Sequence, residues 1–430
     1  MQRSTTCARA VLAVSLFIVL GLVACGGGGE SGGEIVGPDV PDTPSVPPPP
    51  PGPLVFSGLP DFAAASGVLG QPGFVTSASG APSATRLSEP AGLAVSDSGS
   101  LFLADTVNRR VLVFREFPRN LGQAADFALG QRDLDSDDYF APDAFDEPVS
   151  VAVANGMVAV ADRLANRVVV YDAVPVDGNA RPAFVVGQPD MNSNVDACDA
   201  ATLSAPSAVQ ITPDGKLVVA DTGHSRVLIW KSVPSADGVA ADVVLGQPSF
   251  ENCDRNAGGT APSRGGMDEP EALWSDGTRL AVADTFNDRV LLWDVVLMSF
   301  PTGQLPHRVL GQPGFDSAPV NAPPTADNLR RPRAVTSNGT HLAVGDNGNN
   351  RVLLWDGWPS QDHQPAKNVL GQKDMTRDLE NDGALDPTAE TLDGPMRGDP
   401  SEQAAGRGPR QQPRTDLRVP LRRRASSGAL

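Results

Sequence analysis

Carboxylates are the residues of this chain that could do chemistry. Asp133, Asp135, Asp137 and Asp138 (DLDSDD) put acids at alternate positions, as calcium loops do. Asp378, Glu380, Asp382, Gly383 and Asp386 (DLENDGALD) come closer, matching Asp-x-x-x-Asp-Gly with the ninth position filled. The twelfth position is Ala389, so the bidentate carboxylate is missing. Ca²⁺ is the cofactor these two stretches suggest, and an acidic solvated loop is the plainer reading of each. Glu89, Glu147 and Glu269 each stand directly before a proline and could ring one end of a central channel. Ala205, Arg331 and Gly394 at the equivalent places break that ring. The four histidines, His224, His307, His341 and His363, share no spacing, which argues against a multi-His zinc site. No Ser-His-Asp context, phosphate loop or dinucleotide fingerprint is present, so no catalytic residue is assigned.

Five Asp and Arg pairs recur at one spacing: Asp105 and Arg110, Asp162 and Arg167, Asp221 and Arg226, Asp284 and Arg289, Asp346 and Arg351. Each Arg opens an apolar run ending in an aromatic, as in ADTVNRRVLVF at 104–114. An Asp at a turn accepts backbone N–H bonds, and a guanidinium five residues on is within pairing reach. A site is normally made once per repeat protein, so a motif in every copy reads as structure.

Two further strings keep the same register. LGQ or VGQ carries Gly70, Gly130, Gly187, Gly246, Gly311 and Gly371, and apolar-x-x-Pro ends at Pro90, Pro148, Pro206, Pro270, Pro332 and Pro395. Between markers lie four short β-patterned runs; in the first unit these are 92–95, 101–104, 110–114 and 127–130. A four-stranded sheet cannot bury both faces alone, whereas sheets stacked radially can. The expectation is an all-β propeller with four antiparallel strands per blade.

The order apolar-x-x-Pro, strand, Val-Ala-Asp-x-x-x-Asn-Arg-Val, hydrophobic, aromatic resembles the NHL repeat family over residues 54–395. The resemblance implies six blades, with the Pro-led strand innermost and the LGQ strand outermost. Leu54-Val55-Phe56 matches Leu112-Val113-Phe114, so the N-terminal end supplies the outer strands of the last blade. Its inner strands should follow Pro395, but residues 396–430 show no alternation and no Asp-x-x-x-x-Arg. That stretch reads as a disordered basic tail. It is either genuine or the product of a frameshift, leaving five complete blades and a sixth with its N-terminal strands only.

Residues 1–24 carry Arg3, Arg9 and an uncharged apolar run at 10–24, short for a membrane span and suited to a signal peptide. The run ends Leu22-Val23-Ala24-Cys25, which resembles the lipobox of bacterial lipoproteins; the resemblance implies lipid on Cys25. Gly26 in the next position implies an outer-membrane address. Residues 25–53 are Gly-rich and then Pro-rich, a tether that stands a folded body off a lipid surface. An oxidising envelope makes Cys198 and Cys253, in the long loops after LGQ of adjacent units, a candidate disulfide.

The net charge is −17; the first 24 residues contribute +2 and the last 35 contribute +5, which leaves −24 on residues 25–395. A body this acidic repels nucleic-acid phosphate and anionic lipid, so nucleic acid is excluded as a partner. The reading is a monomeric, lipid-anchored envelope propeller that binds a protein or glycan, with the question of enzymatic activity left open. The alternative is a metal-dependent enzyme of lactonase or lyase type, which would use the channel acids.

Overall fold

The computed structural model describes residues 60–76, 80–139, 143–294, 302–317, 322–384 and 386–395. The chain divides into two units, Met1–Gly398 and Asp399–Leu430, and every described residue lies in the first. The expected signal peptide, Cys25, the tether, the Leu54–Phe56 strand and the tail at 396–430 fall outside the described residues.

Among the described residues twenty strands form five four-stranded antiparallel sheets, each ordered as in the sequence. The first holds β1 (Pro90–Val95), β2 (Leu101–Asp105), β3 (Arg110–Phe114) and β4 (Phe127–Leu129). The second holds β5 (Pro148–Ala154), β6 (Met157–Asp162), β7 (Arg167–Tyr171) and β8 (Phe184–Val186). The third holds β9 (Pro206–Ile211), β10 (Leu217–Asp221), β11 (Arg226–Trp230) and β12 (Val243–Leu245). The fourth holds β13 (Pro270–Ser275), β14 (Leu280–Asp284), β15 (Arg289–Trp293) and β16 (Arg308–Leu310). The fifth holds β17 (Pro332–Ser337), β18 (Leu342–Asp346), β19 (Arg351–Trp355) and β20 (Asn368–Leu370).

The Pro-led strands β1, β5, β9, β13 and β17 touch one another in that order. The cores lie between neighbouring sheets, as the two-residue side-chain period requires. In β10, Leu217 and Val219 pack toward the second sheet, whereas Val218 and Ala220 pack toward the fourth. Each such Val or Leu contributes roughly 1.5–3 kcal/mol by leaving water. A proline has no N–H for the ladder, and the register shifts just beyond Pro90, Pro148, Pro270 and Pro332.

Gly130, Gly187, Gly246, Gly311 and Gly371 follow the outer strands at positive φ, and a side chain there would strike the apolar residue of the next apolar-x-x-Pro string. At Gly187 (φ +87) a Cβ would lie 2.4 Å from Leu203 Cδ1. Gly187→Ala combines left-handed strain with overpacking, and should destabilise by about 2–4 kcal/mol in urea unfolding.

Residues 60–76 form no strand, although Val68–Pro72 is the expected outermost strand of a last blade. The stretch it would pair with, residues 54–56, lies outside the described residues. The contacts of residues 61–69 nonetheless repeat those of the sheets. Val185 O accepts from Gly238 N, Val244 O from Gly303 N and Val309 O from His363 N, at 3.3, 2.8 and 2.8 Å. Val369 O accepts likewise from Phe62 N at 2.9 Å. All four donors sit at positive φ. Asp61 Oδ1 accepts from Val369 N at 3.0 Å, as Asp362 Oδ1 does from Val309 N and Asp237 Oδ1 from Val185 N. Ala65 and Val68 pack on the fifth sheet with Leu354 and Leu370, while Leu69 packs on the first with Leu101 and Leu103.

Candidate functional site

The turn between the second and third strand of each sheet holds the repeated Asp and Arg as a buried knot. In the first sheet Asp105 ends β2 and faces Arg110, which starts β3. Asp105 Oδ2 accepts from Arg110 Nε at 2.7 Å and Asn108 Nδ2 at 2.9 Å, and Oδ1 accepts from the backbone N–H of Ser88. The Nε to carboxylate bond recurs in the third, fourth and fifth sheets at 2.7 Å, with both side chains buried. In the second sheet Arg167 meets Asp162 at 2.9 Å.

The rest of each guanidinium goes to the long loops. Arg226 donates through Nη2 to the carbonyls of Asp199 and Thr202, and through Nη1 to that of Phe250. Arg351 bonds the carbonyls of Thr325, Asn328 and Met375 in the same way. One cation therefore ties two successive long loops to one hairpin. Burial pushes the carboxyls of Asp105, Asp162, Asp284 and Asp346 upward, against the pull of the paired guanidiniums and N–H donors. These bonds engage the Asp and Arg of each pair within the fold.

A second set of links joins neighbouring sheets. Thr106, Thr222 and Thr285 hydroxyls donate to the carbonyls of Pro148, Pro270 and Pro332 in the following sheet. The left-handed last residue of the turn accepts from the residue before the next inner-strand proline. Asn166 takes Ala205 N, Asp288 takes Arg331 N and Asn350 takes Gly394 N, at 2.7, 2.7 and 2.6 Å. Sequence reading attached no role to the Gln of LGQ, although its recurrence in all six units was a usable signal. Gln188 Nε2 donates to the Asn166 and Val195 carbonyls, and Gln372 Nε2 to those of Asn350 and Leu379.

The remaining candidates are placed individually. Cys198 and Cys253 are bonded as a disulfide between the long loops leading into the third and fourth sheets. Glu147 is engaged by Arg163, whose Nε and Nη2 donate to its carboxylate at 2.8 and 3.0 Å. Glu89 and Glu269, both half-buried and at positive φ, precede Pro90 and Pro270. Arg255 feels the charge of Glu269 and pairs with Asp268.

Asp133 Oδ1 takes Ser136 Oγ and the Asp135 N–H, a turn that holds its carboxyl below the ordinary range. Asp135 and Asp137 lie beside it in the same loop. Burial pushes Asp382 upward, but hydrogen bonds and charge from Arg377 and Lys373 outweigh it and hold this carboxyl low. Asp378 gives its carbonyl to Asn350 Nδ2, Glu380 opens a short 3₁₀ turn, and Asp386 is exposed. Among the described residues no group of three or more His, Cys, Asp or Glu side chains comes together as a metal site.

Sheets packed in sequence through their inner strands, each pinned by one Asp and Arg knot, define a β-propeller. No protein-family model matches the chain, and no curated protein is similar to it. Among solved structures the chain is similar to one from the nidogen/laminin complex, at 14% identity over 65% of this chain and 83% of the other, with a TM-score of 0.35. A protein from Lactobacillus plantarum is 17% identical over 67% of this chain and 73% of its own, with a TM-score of 0.41. The WD40 β-propeller domain of Doa1 is 10% identical over 65% of this chain and 67% of that domain, with a TM-score of 0.36. At these identities and scores, function has to be argued from the chain's own geometry.

Proposed function

We propose that the chain is an NHL-type propeller that serves as a binding or scaffold module on a lipid anchor. The carrying observation is how the knots are used. In each sheet the Asp and Arg are consumed by internal bonds, and those bonds hold the long loops beside the turns. An invariant frame that fixes loops of differing sequence is the arrangement of a recognition face. The loops at 131–147 and 372–394 are acidic, with seven carboxylates each against one and two cations, so basic groups on a protein or envelope ligand suit this face.

Cys25 carries the lipid on this reading, and residues 26–53 hold the face away from an envelope membrane. The propeller has six positions. Asp61 and Phe62 take the place of the loop between third and fourth strands, and Gly394 takes the place before an inner-strand proline.

The test immobilises the full chain and screens basic and acidic peptides and envelope glycans against it. Two variants replace residues 131–139 or 372–384 by Gly/Ser segments. Binding that one replacement removes, with the fold retained, supports a recognition face. Binding that neither changes, or turnover of a lactone or ester panel with bound divalent ion, overturns it.

A further inference from the structure

The knot of the third sheet differs from the others in one residue. Three turns place an Asn three residues after the Asp. Asn108, Asn287 and Asn349 each donate through Nδ2 to the buried carboxylate, at 2.9, 2.9 and 2.8 Å. The third turn places His224 there. Both of its ring nitrogens face carboxylates. Nδ1 lies 3.0 Å from Asp221 Oδ2, inside the knot, and Nε2 lies 3.1 Å from Asp196 Oδ1, in the long loop that leads into the sheet. We propose that His224 is a proton-operated clasp. Its charged ring holds Asp196 to the knot, and its neutral ring lets that carboxylate go.

The proton count carries the argument. A neutral imidazole has one N–H, so one of the two carboxylates would then face a ring lone pair. Only the imidazolium has a donor for each. The two carboxylates are unequal. The Asp221 side chain is fully buried and has no water to replace a lost donor, whereas that of Asp196 is 61% exposed and can turn to solvent. The single N–H of a neutral ring therefore stays on Nδ1, toward Asp221, and Asp196 is the group released. The hold is present below the pH at which the ring loses its second proton, and it is lost as pH rises through that point.

The charges around the ring favour such a device. Among the described residues Asp221 from β10, Asp196 from the long loop and Arg226 from β11 face the ring. Two carboxylates against one guanidinium leave one negative charge, which the imidazolium neutralises. Arg226 Nη2 stands 3.5 Å from Nδ1, but it already donates to the Asp199 and Thr202 carbonyls and does not stand in for the ring proton. Farther out, Glu251 feels both Arg226 and Asp199, so the surroundings stay acidic. The clasp acts on a short segment. Gln188 bonds both the N–H and the carbonyl of Val195, and Cys198 is bonded to Cys253, so Asp196 and Ala197 lie between two anchors.

The test is NMR of the isotopically labelled full-length protein between about pH 5 and 9. That range brackets ordinary histidine titration and lies above that of carboxylates. The ring signal of His224 is assigned by its loss in His224→Asn. The amides of Asp196 and Ala197 should shift along the same curve as the ring, and their heteronuclear NOE should fall on the alkaline side. In His224→Asn, which supplies the residue of the sister turns, both responses should disappear. In Asp196→Ala the ring should still titrate, but the NOE of Ala197 should be low at both ends of the range. A ring that titrates while the two loop amides keep their shifts and NOE values overturns the proposal. So does a loop response that persists in His224→Asn, or a ring signal that stays in one state throughout.

Discussion

Arg289→Ala should destabilise the chain by about 3–5 kcal/mol, the range for breaking one side of a buried ion pair. Both partners are buried, so the loss leaves the Asp284 carboxylate without its charge partner and without water. The carbonyls of Ser263, Gly266 and Phe315 lose their donors as well. Arg289→Lys should recover less than half of the deficit, because one ammonium cannot reach three carbonyls and a carboxylate in the directions of the guanidinium fork. Urea unfolding of the three proteins measures this. A cost under about 1 kcal/mol, the level of an exposed pair, would contradict the structural role of the knot.

The second large effect concerns the Cys198–Cys253 disulfide, which closes a stretch of 55 residues between the loops leading into the third and fourth sheets. Constraining a loop of that length in the unfolded chain is worth up to about 4 kcal/mol on the chain-entropy model. The double variant Cys198→Ser/Cys253→Ser should therefore show a lower urea midpoint. The long loops at 188–205 and 247–269 should exchange their amides faster than in the parent. The Arg226 knot bonds the carbonyls of Asp199 and Phe250 beside the two cysteines, so part of the order should survive. A midpoint unchanged by the substitution would mean that the Arg226 bonds alone hold these loops.

Much of the fold was legible because its signals are local and repeated. Asp105 and Arg110 lie five apart, and their pairing needs only one turn. The LGQ glycines announce positive φ, and alternation in runs such as Leu217–Asp221 announces strands with two buried faces. The illegible part depends on partners distant in sequence. Nothing local tells Arg226 that its other donors go to residues 24 and 27 positions away. Phe62 and His363 occupy positive-φ places held by glycine in Gly122, Gly238 and Gly303, so sequence offered no glycine to align. Glu147, read as a channel acid, lies in a two-bond pair with Arg163, sixteen residues away. Asn381, whose Oδ1 has no partner among the described residues, lies inside the acidic stretch read as a calcium loop.

The proposed six-position ring requires residues 61–69 to occupy the place of a blade's outer half. Native-state hydrogen exchange at the amides of Phe62 and Ala65 tests this most directly, because each donates a single bond, to Val369 O and Ala389 O. If the ring is arranged as proposed, both amides are protected to the same degree as the equivalent His363 and Ala366. Exchange at the rate of an open chain while the β20 amides stay protected would contradict it.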